Sequence, residues 1–254
     1  TMGAATLFGS AAISANIRRE LVPGLTAMGG VRLGTYSQGG ASVDIDTGLA
    51  LALQYDPPDM GSSRPYASVS VAASHQRLRY ARTYLAMGQP AAGGGKTSSY
   101  GASVSAQLGW VARLGSRAEA AASVSYTRQW QNTAGYGEAP GVGNPFSAII
   151  ERSASRANIV SAGAQYTQLL GSRIELGLNG GVSHSFGGRT GADARIGTLQ
   201  VSSRLDDFTT WDVGARAGLR LGGGVTVDVF ITHVRAPEEI GSGTHGGVGL
   251  RLPL

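Results

Sequence analysis

The chain has 254 residues, 42% of them hydrophobic, with 21 Lys and Arg against 16 Asp and Glu and no cysteine. The absence of cysteine excludes disulfide scaffolds and thiolate metal sites, and no apolar run approaches the roughly 18 residues a helical membrane span needs. The net charge of +5 comes from arginines spread one or two per segment, with Lys96 the only lysine; a nucleic-acid binder would cluster them with interleaved aromatics.

No signal peptide is legible in Thr1–Ser10, so the chain is expected to be either a mature protein or a piece cut from a longer one. Eleven segments then read as strands: 5–20, 24–36, 43–56, 65–80, 98–114, 117–131, 152–170, 173–186, 208–221, 224–236 and 244–254. The clearest is the run from Val43 to Tyr55, where apolar residues, Thr47 excepted, hold the odd positions and Asp44, Asp46, Gly48, Ala50, Ala52 and Gln54 the even ones. Such a strand is apolar on one face and polar on the other. The same alternation runs through Leu25–Leu33 and Ile174–Val182. The polar faces are mostly Gly, Ala, Ser and Thr with isolated charges, too weakly charged for the outside of a soluble sandwich. They suit the wet lumen of a barrel whose apolar outside touches lipid.

Tight turns at Arg19–Gly24, Leu114–Arg117, Leu170–Arg173 and Leu221–Gly224, and a longer one at Asp56–Arg64, alternate with breaks at Ser37–Ser42, Ala81–Thr97, Asn132–Glu151, Gly187–Asp207 and Ala236–Gly243. Short periplasmic turns and long outer loops are the pattern of outer-membrane barrels. The expectation is an all-β fold: one transmembrane antiparallel up-and-down β-barrel of about twelve strands over residues 1–254. Eleven strands leave one upward strand to find. It is expected either before residue 1, which keeps the turn polarity, or in Gly187–Asp207, where Ile196–Val201 alternates weakly.

Parity assigns Arg18, Arg32, Asp44, Asp46, Arg113, Glu119, Glu175, Asp212, Arg216, Arg220 and Asp228 to the lumen, as pore-lining charges that hold the barrel's shape or grip a passing polypeptide or solute. Tyr36, Tyr55, Tyr80, Trp110, Tyr126, Trp130, Tyr166 and Trp211 fall near strand ends and are expected in the interfacial girdles. His75, His184 and His233 share faces with Val71, Val182 and Ile231, so they should point outward and not over a catalytic cleft. Ser74 and His75 are adjacent in one strand and face opposite ways. No catalytic residue, metal site or cofactor is assigned, and nucleic acid is not expected as a partner.

In the last strand Gly246, Val248, Leu250, Leu252 and Leu254 share one face. The arrangement of His245, Gly247, Leu250 and Leu252 resembles the terminal signal of outer-membrane proteins that the barrel-assembly machinery reads, although the chain ends Pro253-Leu254 and not in an aromatic residue. From about Leu7 to Leu254 the chain resembles the autotransporter β-domain family. The residues that carry this are Ala162–Gln168 leading into a tight turn, Gly180–Phe186, Trp211–Leu219 and the closing strand. The resemblance implies a type V secretion translocator, with a passenger polypeptide preceding residue 1 and a linker through the pore, commonly helical; Thr1–Ser10 is too short to be that helix. Outer-membrane lipid, lipopolysaccharide, the assembly machinery and the passenger are the partners it implies. The alternative is a standalone channel of porin type, or an adhesin working through Ala81–Thr97 and Asn132–Glu151.

Overall fold

The computed structural model describes residues 2–7, 10–38, 41–57, 61–196, 199–205, 207–221, 225–238 and 241–251. Fifteen strands follow in order: β1 (Met2–Leu7), β2 (Ser10–Val22), β3 (Leu25–Gln38), β4 (Ala41–Tyr55), β5 (Ser63–Ala86), β6 (Gln89–Arg113), β7 (Ala118–Thr133), β8 (Tyr136–Gly137), β9 (Ala148–Ile150), β10 (Ser153–Leu170), β11 (Ile174–Ile196), β12 (Leu199–Leu205), β13 (Phe208–Arg220), β14 (Thr226–Arg235) and β15 (Gly243–Arg251).

Each of β1 to β6 pairs antiparallel with the next; β7 then pairs with β10, β10 with β11, β11 with β13, β13 with β14 and β14 with β15. The register of Gly3 to Thr6 against Arg251 to Val248 joins β1 to β15 and closes the ring. Seven strands up to β7, with β10, β11, β13, β14 and β15, make a barrel of twelve. Closure leaves the ring without a free edge, which a sheet in lipid requires.

The twelfth strand is β1, neither upstream of residue 1 nor in Gly187–Asp207, where β11 and β12 form a hairpin extension instead. Leu7 pairs with Ser10, so the segment read as one strand over 5–20 is two. The run Met2-Gly3-Ala4-Ala5-Thr6-Leu7 has small residues at its four central positions and lacks the two-residue period that marks the other strands. Nor is Ala81–Thr97 a loop. Strands β5 and β6 continue in register to Ala86 opposite Gln89 and turn at Met87-Gly88, with φ of 51° and 79°. Two successive left-handed residues make the two-residue hairpin turn whose twist matches the strands.

The barrel is inverted relative to a soluble protein. The buried hydrophobic side chains among the described residues are Val43, Ala86, Ala91, Ala121 and Ala148, nearly all alanine, whereas Leu51 on the outer face is 52% exposed, as are most large apolar groups of the other strands to a similar extent. The inner face carries hydroxyl and amide ladders: Gln107 donates to Ser123 at 2.9 Å, Ser105 meets Thr127 at 2.9 Å and Ser161 meets Ser183 at 2.8 Å. On β6 the outward side chains from Trp110 to Tyr100 are Leu108, Ala106, Val104 and Ala102. The ten steps from Tyr100 to Trp110 span about 33 Å of strand at ~3.3 Å each. At a tilt near 40° they make a belt about 25 Å tall, the thickness expected of a lipid-facing band.

Candidate functional site

Alternate residues of the strands build the lumen. One wall of β2 to β7 encloses a cavity of about 540 Å³, lined by Ser14, Asn16, Arg32, Asp46, Ser74 and Gln129 among others, with Gly30, Gly48 and Gly101 keeping it open. Arg32 on β3 binds Asp46, which faces it obliquely on β4, and Gln76 donates to the same carboxylate at 3.3 Å. Near the short-turn end Glu175 accepts from both Arg216 and Arg220, the latter at 2.9 Å, and Arg216 lies 3.8 Å from Asp228. Arg113 stands opposite Glu119 in register, Arg18 opposite Met28 and Asp212 opposite Gly181.

Asp44 departs from this set. The pairing of β4 with β5 slips between Val43 and Ile45, a bulge that inserts one residue and breaks the parity on which its lumen assignment depends. Its carboxylate accepts from Arg79 at 2.9 Å. Arg79 alternates with the outward Arg77 and His75, so Asp44 lies on the outer face.

His75 stacks on Tyr100 at 4.5 Å between ring centroids, and His184 and His233 bond the hydroxyls of Thr209 and Thr244 at 2.9 and 2.8 Å, all on the outer face. Trp110, Trp130 and Trp211 are also outward and exposed. In the closing strand His245 stands opposite Thr232, Gly247 opposite Phe230, and Leu250 between Val227 and Ala4. Leu252 and Leu254 lie outside the described residues.

At the mouth opposite the short turns a second group assembles that alternation alone did not reveal. The segment from Tyr136 to Ala148 folds against the inner face and free edge of the β5–β6 hairpin. Glu138 is its only charge. The carboxylate, 2% exposed, accepts from Arg82 Nε at 2.8 Å and Nη2 at 2.6 Å, from the Ala148 amide at 2.8 Å and from Asn144 at 3.3 Å. The Tyr84 hydroxyl donates to Asn144 at 2.6 Å and accepts from the Phe146 amide at 3.2 Å. Tyr80 stacks on Tyr136 with planes 3° apart, so it belongs to this contact and not to the girdle.

Glycines make the seat. A Cβ on Gly93 would come within 2.7 Å of Glu138 Cδ, and one on Gly95 would overlap the Tyr136 ring. The Ala92 amide donates to the Gly143 carbonyl at 3.0 Å, and β9 pairs with β11 through Ala148 to Ile150 against Ile196 to Ala194. The segment thus spans from the β5–β6 hairpin to the β11–β12 hairpin. Hydrogen bonding by Arg82 holds the Glu138 carboxyl down at about 2, against the opposing effect of burial, with the Ala148 amide and Asn144 assisting. The same pairing raises Arg82. Burial, then the Glu138 charge, raises the Tyr136 phenol.

No family model and no curated protein matches the sequence. Solved structures do match the fold. The translocator domain of the autotransporter NalP from Neisseria meningitidis is 13% identical with a TM-score of 0.65, over 100% of this chain and 85% of that one. The β-domain of the Bordetella autotransporter BrkA is 13% identical at 0.58, over 100% and 96%. The NanC porin is 10% identical at 0.52, over 100% and 98%. At such identities the likeness is one of fold. By that fold the chain is an antiparallel β-barrel of the outer-membrane kind, similar to autotransporter translocator domains and to porins.

Proposed function

We propose that this barrel lies in the bacterial outer membrane and serves as a translocator, anchoring an N-terminal passenger and passing it through the lumen. The observation that carries the reading is the inner wall: small residues and hydroxyls with single, locally neutralised charges such as Arg32 with Asp46. Such a lining accepts an extended polypeptide without demanding a sequence. Strand β1 runs away from the short-turn end, from Met2 opposite Ala15 to Leu7 opposite Ser10, so a segment ahead of it would approach the lumen from that side. The long hairpins face outside, the short turns face the periplasm, and the closing sequence from His245 to Leu254 is offered to the assembly machinery.

One observation favours a second reading, a solute channel: the docked Tyr136–Ala148 segment narrows the outer mouth. A tagged polypeptide placed ahead of residue 1 in a Gram-negative host separates the two. For a translocator, protease added to intact cells removes the tag while the membrane-extracted barrel shows heat-modifiable migration. An inserted barrel with its tag held in the periplasm leaves the channel.

A further inference from the structure

Five cations face outward along the aromatic rim at the long-hairpin end, four at or beyond it and Arg128 one outward position to the belt side of Trp130. They are Arg77 and Arg79 on β5, Lys96 on β6, Arg128 on β7 and Arg156 on β10, four strands that are neighbours in the ring. Arg79 stands opposite Lys96, and Arg77 is one outward position nearer the belt, directly above the His75–Tyr100 stack. Arg156 stands opposite Trp130. The Arg128 guanidinium lies 5.4 Å from the Trp130 ring centroid and donates to Asn158 at 3.2 Å. The long side chain thereby lies along apolar surface with its charge held at the rim.

The charge on this face is one-sided. Strands β5, β6 and β10 contain no acidic residue, and Glu119 of β7 stands at the opposite end facing Arg113. Asp44 answers Arg79. Arg77, Lys96 and Arg156 have no ion-pair partner among the described residues. The cations form two groups, one on β5 and β6 and one on β7 and β10, about two strands or roughly 10 Å apart. Guanidinium forks match phosphate oxygens, and the groups sit where head groups begin if the apolar belt lies in a bilayer.

We propose that the outer face of β5, β6, β7 and β10 is a binding site for a glycolipid head group bearing two phosphates, one held by each group of cations. This rests on the membrane-barrel reading and adds a lipid ligand to it. Lipid A supplies the probe in bisphosphorylated, monophosphorylated and dephosphorylated forms, each titrated into the full chain folded in phosphatidylcholine vesicles and followed by tryptophan emission.

The bisphosphorylated form is expected to bind tightest and the dephosphorylated form weakest. The triple variant Arg77→Gln, Lys96→Gln, Arg156→Gln should lose on the order of a hundredfold in affinity for it, at about fivefold per charge. Arg77→Gln alone, losing about fivefold, carries the same test if the triple variant does not fold. Arg19→Gln, Arg117→Gln, Arg173→Gln at the short-turn rim should change nothing. Equal binding of the three lipids, or a loss confined to the short-turn variant, overturns the site. A chain that does not enter the vesicles overturns the barrel reading beneath it.

Discussion

Leu51 and Ala50 are neighbours in the chain and opposites in environment. The Leu51 side chain lies 52% exposed in the middle of the apolar belt, whereas Ala50 lines the lumen cavity. A cation at mid-belt meets lipid, so Leu51→Arg should cost on the order of 2–4 kcal/mol in vesicles, while Ala50→Arg projects into the wet lumen and should cost far less. Urea titration of the two vesicle-folded variants measures the difference; equal losses would mean that the two faces do not differ in solvent. Glu138 sets a second test at this scale. Its carboxyl is depressed from 4.5 to about 2, so the contribution of its contacts is present above 4.5 and is lost as pH falls through about 2. Exchange protection of the Ala148 amide should therefore be flat from neutral pH to about 5 and fall below 4.5. Glu138→Gln should abolish that acid dependence and weaken docking by about 1.5–3 kcal/mol, the range for hydrogen bonds to a charged group.

At the scale of elements, the β5–β6 hairpin and the Tyr136–Ala148 segment are a fitted pair. The hairpin stands beyond the ring, so β6 there would present a free edge, which the segment covers through the Ala92 to Gly143 bond. The inner face accepts it because Gly93 and Gly95 leave room. Gly95→Val should displace the Tyr136 ring and cost about 1–3 kcal/mol of docking through overpacking. Limited proteolysis of the folded barrel between Ala139 and Pro145 reads this directly: the variant should be cut and the parent spared, with the ring intact in both. Sequence patterning was least informative for this pair. Gly93-Gly94-Gly95 has the composition of a loop, and Met87-Gly88 is not one of the usual turn dipeptides, so the hairpin's extension was hidden. The partnership of Arg82 with Glu138, 56 residues apart, has no local signal at all.

For the whole molecule, the period of two was enough to determine the barrel. Alternation is a local property that each strand must satisfy if one face meets lipid and the other water, so eleven of the ring's strands, the short turns and the outward placement of His75, His184 and His233 could be read residue by residue. Tertiary structure decided what depends on pairing. It decided the twelfth strand, since β1 is recognisable only by its register with β2 and β15. It decided the place of Asp44, because a bulge shifts parity by one and appears only when two strands are aligned. It also decided the mouth, where side chains distant in the chain meet over a hairpin whose strands outrun the membrane. The sequence by itself determined which faces meet lipid and water, because solvation acts on each residue where it stands. Register, closure and the docked segment belong to the folded chain, because hydrogen bonds between strands and contacts across the mouth are made by residues that no local pattern connects.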